Sequence, residues 1–282
     1  MSKDLSDMND AAAIYASDSP LLPVQARDEL SFNDPVQNRD VALRVRLPQG
    51  PGPYPVIVFS HGSLCAADAY QPLTSFWAAR GYIVIAPLHL DALEHPPTGG
   101  PPELNQLLSS RVRDLSFVAD MLTDITAAAG ARDCVDTTRL AAAGHSFGAL
   151  TALIKAGLAL RPGEYAYGDT GADERFQAAI SLSGVGPLPP MTDDAFAHIQ
   201  RPMLVTGGTL DEGNVGAGPV FPWEWRLSAY TLASPGDKYS LALDAADHYF
   251  GGLIARDDRG GEPDPEGLGI VAGASSAFLD AY

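Results

Sequence analysis

The run Leu140-Ala-Ala-Ala-Gly-His-Ser-Phe-Gly148 limits what this chain can fold into more than any other stretch. Small apolar residues enter as a buried strand, Ser146 falls on a sharp turn, and residues 149–160 leave as a helix. Such a turn pushes the serine towards unfavourable backbone dihedrals, and Gly144 and Gly148 let strand and helix approach without Cβ clashes. Ser146 is therefore expected at the carboxyl end of a sheet with its hydroxyl at a helix N-terminus. That is how a nucleophile is presented.

The rest of the chain supplies the sheet. Residues 29–32 and 40–47 read as two strands, the second alternating apolar residues with arginine, and the proline-rich stretch 48–55 closes the hairpin. Residues 54–60 and 82–86 are continuous apolar strands of the kind buried on both faces, separated by a helix over 69–80. A loop over 87–102 leads to a long helix, 104–129, whose Leu104, Leu107, Leu108, Leu115, Val118 and Leu122 share a face. After the elbow come strands at 176–182, 202–206 and 238–243, a helix over 221–230, and an alanine-rich helix over 267–282. Strand and helix in alternation predict an α/β fold: a mostly parallel sheet with helices on both faces.

Residues 1–27, polar and acidic, read as a loosely held arm, and 28–282 as a single domain. Within it, 161–175 and 213–235 read as insertions placed to act as a lid or to shape a pocket. The chain carries 35 acidic against 18 basic residues, a formal charge of -17, with no basic cluster, which argues against nucleic acid as a partner. No apolar h-region opens the sequence and no run is long enough to span a bilayer, so a cytoplasmic location is expected. Two cysteines are too few for a disulfide framework. No metal site is expected either: Glu94-His95 sits in a proline-rich loop without a partner at ligand spacing.

A serine hydroxyl needs a base, and the base needs a third group to hold it. In open parallel sheets ligands sit at the carboxyl ends of strands, so the partners are sought just after later strands. Asp211 follows the strand at 202–206, and His248 follows the strand ending at 243; of the six histidines only His248 lies downstream of Asp211. The chain order Ser146, Asp211, His248 is the order this architecture imposes. Glu212, Asp244 and Asp247 are the competing carboxylates. A developing oxyanion needs two backbone donors: Phe147, directly after the nucleophile, and Ser63 or Leu64 in the loop that follows the strand at 54–60. Phe221, Trp223, Trp225 and Tyr230 are read as pocket-lining residues or, equally, as packing for their helix, and His89 as a polar group near the site.

These residues, with the strand pattern around them, resemble the α/β-hydrolase superfamily. Within it, residues 54–62 (Tyr-Pro-Val-Ile-Val-Phe-Ser-His-Gly), 113–122 and 138–148 are similar to the dienelactone-hydrolase-like and platelet-activating-factor-acetylhydrolase-like esterases. The resemblance implies an eight-stranded sheet with its second strand antiparallel, hydrolysis without a cofactor, and a small-molecule ester as substrate. The acetylhydrolase branch places its acid after strand six; here 180–184 holds no carboxylate, which points to Asp211 after strand seven. The same residues would serve an amide, cyclic or polyester bond. A catalytically silent scaffold that binds a ligand is the reading from another class.

Overall fold

The computed structural model describes residues 6–13, 20–94, 103–163, 171–213 and 218–282. In chain order they form α1 (Ser6–Ala13), β1 (Val24–Asp34), β2 (Arg39–Pro48), β3 (Tyr54–Ser60), α2 (Gln71–Ala79) and β4 (Ile83–Pro87). Then follow α3 (Leu104–Asp120), α4 (Leu122–Ala128), β5 (Val135–His145), α5 (Phe147–Lys155), β6 (Phe176–Leu182) and β7 (Met203–Gly208). The chain closes with α6 (Ser228–Leu232), β8 (Lys238–Leu243) and α7 (Pro265–Ala281).

The eight strands make one sheet in the order β1-β2-β4-β3-β5-β6-β7-β8. Only β2 runs against the rest, pairing antiparallel with β1 and β4, while every pair from β4 to β8 is parallel. Alternation along β3 assigns its side chains to the two faces. Ile57 and Phe59 pack with Trp77 of α2 and Leu268 of α7. Val56 and Val58 pack with Leu115 and Val118 of α3 on the other face. The strands' carboxyl ends gather on one edge of this sandwich, and the site lies there.

Four elements depart from the sequence reading. Part of the stretch expected to be a loose arm is α1, whose Met8, Ala11 and Ala12 are buried. Its backbone lies on α7 at two glycines: a Cβ at Gly269 would come 2.3 Å from the Met8 carbonyl oxygen, and one at Gly273 2.5 Å from that of Ala12. An eight-residue acidic segment shows no such docking by its own periodicity; the glycines that allow it lie at the far end of the chain. The helix expected over 104–129 breaks at Met121 (φ −98°, ψ 9°), yet Leu122 and Ile125 keep the apolar face buried, which hides the break from a periodicity reading. The helix from the elbow ends at Lys155 because the chain turns at Gly157 (φ 117°), where a Cβ would meet the His198 carbonyl oxygen at 2.7 Å. The helix expected over 221–230 is a 3-10 turn, Trp223–Leu227, followed by α6. The expected insertions at 161–175 and 213–235 fall partly outside the described residues, as does the second half of the loop at 87–102. Among the described residues, no helix is long and apolar enough to cross a membrane.

Candidate active site

β5 carries small buried residues to Gly144 and His145, and the chain reverses at Ser146 (φ 58°, ψ −119°) into α5. This conformation is strained for a residue with a side chain, and it holds because both neighbours are crowded. A Cβ at Gly144 would sit 2.2 Å from the Gly148 carbonyl oxygen, and one at Gly148 1.9 Å from that of Ser60. Ser146 N–H donates to the Leu182 carbonyl at 2.9 Å, which ties the turn to β6.

Ser146, Asp211 and His248 all line one cavity of about 670 Å³. Asp211 follows β7 and is buried, 1% exposed. Its Oδ1 lies 2.9 Å from His248 Nδ1 and 3.0 Å from Arg226 Nε. The Nδ1–H is not well aimed along the first of these lines, so the two groups approach closely without an aligned hydrogen bond. Burial pushes the Asp211 carboxyl up, but the charges of His248 and Arg226 outweigh it and hold the group below its ordinary value. Arg226 also donates to the carbonyls of Gly184 (3.2 Å) and Glu212 (3.1 Å), so one guanidinium fixes both the acid and the loops around it.

The loop after β3 is held from below by Arg111 of α3. Its guanidinium grips Asp91 at 2.7 and 2.9 Å and donates to the carbonyls of His61 (2.7 Å) and Gly62 (3.1 Å). It also lies 4.7 Å from the centre of the Phe147 ring. Asp91 in turn accepts the Leu64 N–H at 3.2 Å, so that donor is committed. Ser63 lines the cavity beside Ser146 and Phe147. Burial lowers the His61 imidazole well below its ordinary value, and the ring shapes the loop by accepting the His89 N–H at 3.1 Å.

One wall of the cavity is apolar, from Leu104, Leu107, Leu108, Leu150, Val185, Leu188 and Pro190; the other carries Glu212, Asp247, Tyr249 and Arg259. The aromatic residues expected at the pocket are elsewhere. Trp225 is buried and stacked on Phe221 (4.8 Å between centroids, 8° between planes), wedged against Gly186 and Gly213, where a Cβ would meet it at 2.4 and 2.5 Å. Trp223 is half-buried in the same turn and Tyr230 is exposed on α6, and neither borders the cavity. Their roles are packing and surface. His89 lies beneath the site, bonded to Ser60 and Asp114.

Sequence reasoning missed Arg226 and Arg111. A sequence signal existed for Arg111, a charge inside the buried stretch of an amphipathic helix. Arg226, one arginine in a short aromatic turn, carried none.

An elbow serine opening on a cavity at the carboxyl edge of an eight-stranded, mostly parallel sheet is the architecture of the α/β-hydrolase fold. A protein assigned as a dienelactone hydrolase from Klebsiella pneumoniae subsp. pneumoniae MGH 78578 superposes with a TM-score of 0.59 at 16% identity, over 92% of this chain and 100% of that one. The chlorophyllase family model matches residues 24–185, more than half of the sequence, and the chain belongs to that family. No curated protein matches it in sequence. Family and fold together make it a hydrolase.

Proposed function

We propose that the protein is a serine hydrolase of carboxylic esters that works through an acyl-enzyme. The observation that carries this reading is the convergence of Ser146, Asp211 and His248 from three different strand ends on one cavity, with His248 Nδ1 turned to the acid. That orientation leaves Nε2 for the serine.

Ser146 Oγ attacks the ester carbonyl carbon while His248 Nε2 takes the hydroxyl proton. The tetrahedral oxyanion is held by the N–H groups of Phe147 and Ser63, Leu64 being occupied by Asp91. Collapse breaks the carbon–oxygen bond to the alcohol, which leaves with the proton from His248. Water then attacks the acyl-enzyme, gives its proton to His248 and releases the acid as Ser146 recovers its hydrogen. Asp211, kept ionised by His248 and Arg226, stabilises the imidazolium in both halves. His248 accepts a proton only when neutral, so turnover falls on acidification. The apolar wall suits a hydrocarbon portion of the substrate. The name of the Klebsiella protein points the same way, since a lactone is an internal ester.

The test is hydrolysis of a nitrophenyl ester ladder, acetyl to dodecanoyl, by wild type and Ser146→Ala in parallel. Turnover by wild type alone, and labelling of Ser146 by an organophosphonate, are the expected results. Equal rates in the two proteins would overturn the assignment. A folded wild type that takes no label would favour the silent scaffold.

A further inference from the structure

A chain of hydrogen bonds runs under the cavity through groups outside the proposed triad. Gly62 N–H donates to Tyr70 Oη at 2.9 Å, Tyr70 Oη lies 2.8 Å from His145 Nδ1, and His145 Nε2 lies 2.9 Å from the carbonyl oxygen of His248. The two end groups dictate the direction of every proton. A backbone N–H only donates, so the Tyr70 oxygen accepts there. A backbone carbonyl only accepts, so His145 carries its proton on Nε2 and gives it to His248. That leaves Nδ1 bare to accept the Tyr70 hydroxyl proton, whereas the opposite tautomer would set two lone pairs against each other at His248 and turn the hydroxyl proton off this line. Both side chains are 0% exposed, so no water relieves such a mismatch.

What this chain joins matters more than what it stabilises. Gly62 precedes Ser63, His145 precedes Ser146, and the far end is the base residue itself. β3 and β5 are neighbours, but β6 and β7 stand between β5 and β8, so no backbone ladder sets the loop of His248 against the elbow. The His145 ring does, lying 4.6 Å from that of His248 as well as holding its carbonyl. Burial keeps the Tyr70 hydroxyl well above and the His145 imidazole well below their ordinary values, so both stay neutral and the direction of the chain persists.

We propose that Tyr70 and His145 are positioning residues: a one-way relay, with His145 as its Nε2–H tautomer, that sets the oxyanion loop, the nucleophile and the base in register. This rests on the reading of Ser146 and His248 above.

Two readouts test it. The first is the nitrogen-15 spectrum of histidine-labelled wild type, with His145 assigned by its loss in His145→Gln. The relay requires one imidazole protonated at Nε2 and unprotonated at Nδ1, unchanged from about pH 5 to about pH 8, a span in which an ordinary histidine titrates. A proton on Nδ1, or a titrating ring, overturns it. The second is the rate of Ser146 phosphonylation at saturating organophosphonate. Tyr70→Phe, which keeps the ring packed on Phe59, and His145→Leu should each slow this step on the order of 10-fold to 100-fold with half-saturation unchanged. The double variant should be no slower than the worse single one, and His145→Gln, whose amide N–H still reaches a carbonyl, should recover most of the rate. Additive losses, or all variants within about threefold of wild type, overturn the relay. If Tyr70→Phe or His145→Leu does not fold, the wild-type spectrum, assigned through His145→Gln, still decides. If wild-type Ser146 takes no label, the esterase reading fails separately and the spectrum alone judges the relay.

Discussion

Two serine–histidine–aspartate arrays start from serines at the ends of the neighbouring strands β3 and β5, and the better hydrogen-bonded of the two is the one shut off from the Ser146 cavity. At the end of β3, Ser60 Oγ lies 2.8 Å from His89 Nε2, and His89 Nδ1 lies 2.7 Å from Asp114 Oδ2. Ser60 and Asp114 are 0% exposed and His89 is 2% exposed. None of the three lines the cavity on which Ser146 opens. Ser146, His248 and Asp211 have a longer, less well-aimed contact between acid and base, but they open on about 670 Å³ of space. The acids differ as well. Burial pushes the Asp114 carboxyl up to about 6, whereas Asp211 is held below its ordinary value. If Ser146 is the nucleophile, as proposed, hydrogen bonding within such an array does not distinguish a nucleophile from a structural serine. Backbone presentation, access and an acid kept ionised do. The enclosed array instead belongs with Arg111, Asp91 and His61 in the support of the loop after β3.

The sharpest way to break this comparison is Ser146→Ala, for which we expect ester turnover to fall by about 10⁴-fold or more. A residual rate near wild type would move the nucleophile elsewhere. Next in size is Arg111→Met, which leaves the buried Asp91 without its cation and should cost about 3–5 kcal/mol in urea unfolding. A cost under about 1 kcal/mol would show that the loop does not depend on this pair.

Asp114→Asn addresses the acid of the enclosed array. The folded state binds the Asp114 proton more tightly than the unfolded chain does. Its contribution to stability is thus present below the ordinary carboxylate range and is lost as pH rises through about 6. Wild type should lose up to about 3 kcal/mol across that window relative to the variant, read as thermal unfolding against pH. Parallel curves would place the raised carboxyl elsewhere. The smallest effect is expected from Ser60→Ala: about 1–2 kcal/mol of stability from the unsatisfied His89, with turnover within about threefold of wild type. A collapse of turnover comparable to that of Ser146→Ala would reverse the roles of the two arrays.

Much of the architecture was legible because it is written in local patterns. The apolar runs at 54–60, 82–86 and 176–182 coincide with β3, β4 and β6 to within a residue, since strands buried on both faces admit little but aliphatic side chains. The elbow was legible because Gly144 answers to a clash with Gly148 four residues on, although Gly148 itself answers to Ser60 on the neighbouring strand. The docking of α1 on Gly269 and Gly273 was not, because no segment announces a groove that a helix from the other end of the chain will fill. The same holds for the aromatic turn: composition marks Phe221 and Trp225 as large and apolar, but only the positions of Gly186 and Gly213 let Trp225 enter the core with Phe221 stacked on it.

By itself the sequence determined the strand and helix alternation, the sharp turn at Ser146, and the order in which the serine, Asp211 and His248 follow strand ends. Each of these depends on short-range sterics or on burial of a run of residues. The tertiary structure decided which polar groups meet: Arg226 with Asp211, Arg111 with Asp91, Tyr70 with His145, and Ser60 with His89 and Asp114. It also decided which of two serines faces space. Those pairings join different elements, several of them distant in the chain. Their strength comes from a shared dry interior, which exists only once the sheet has assembled.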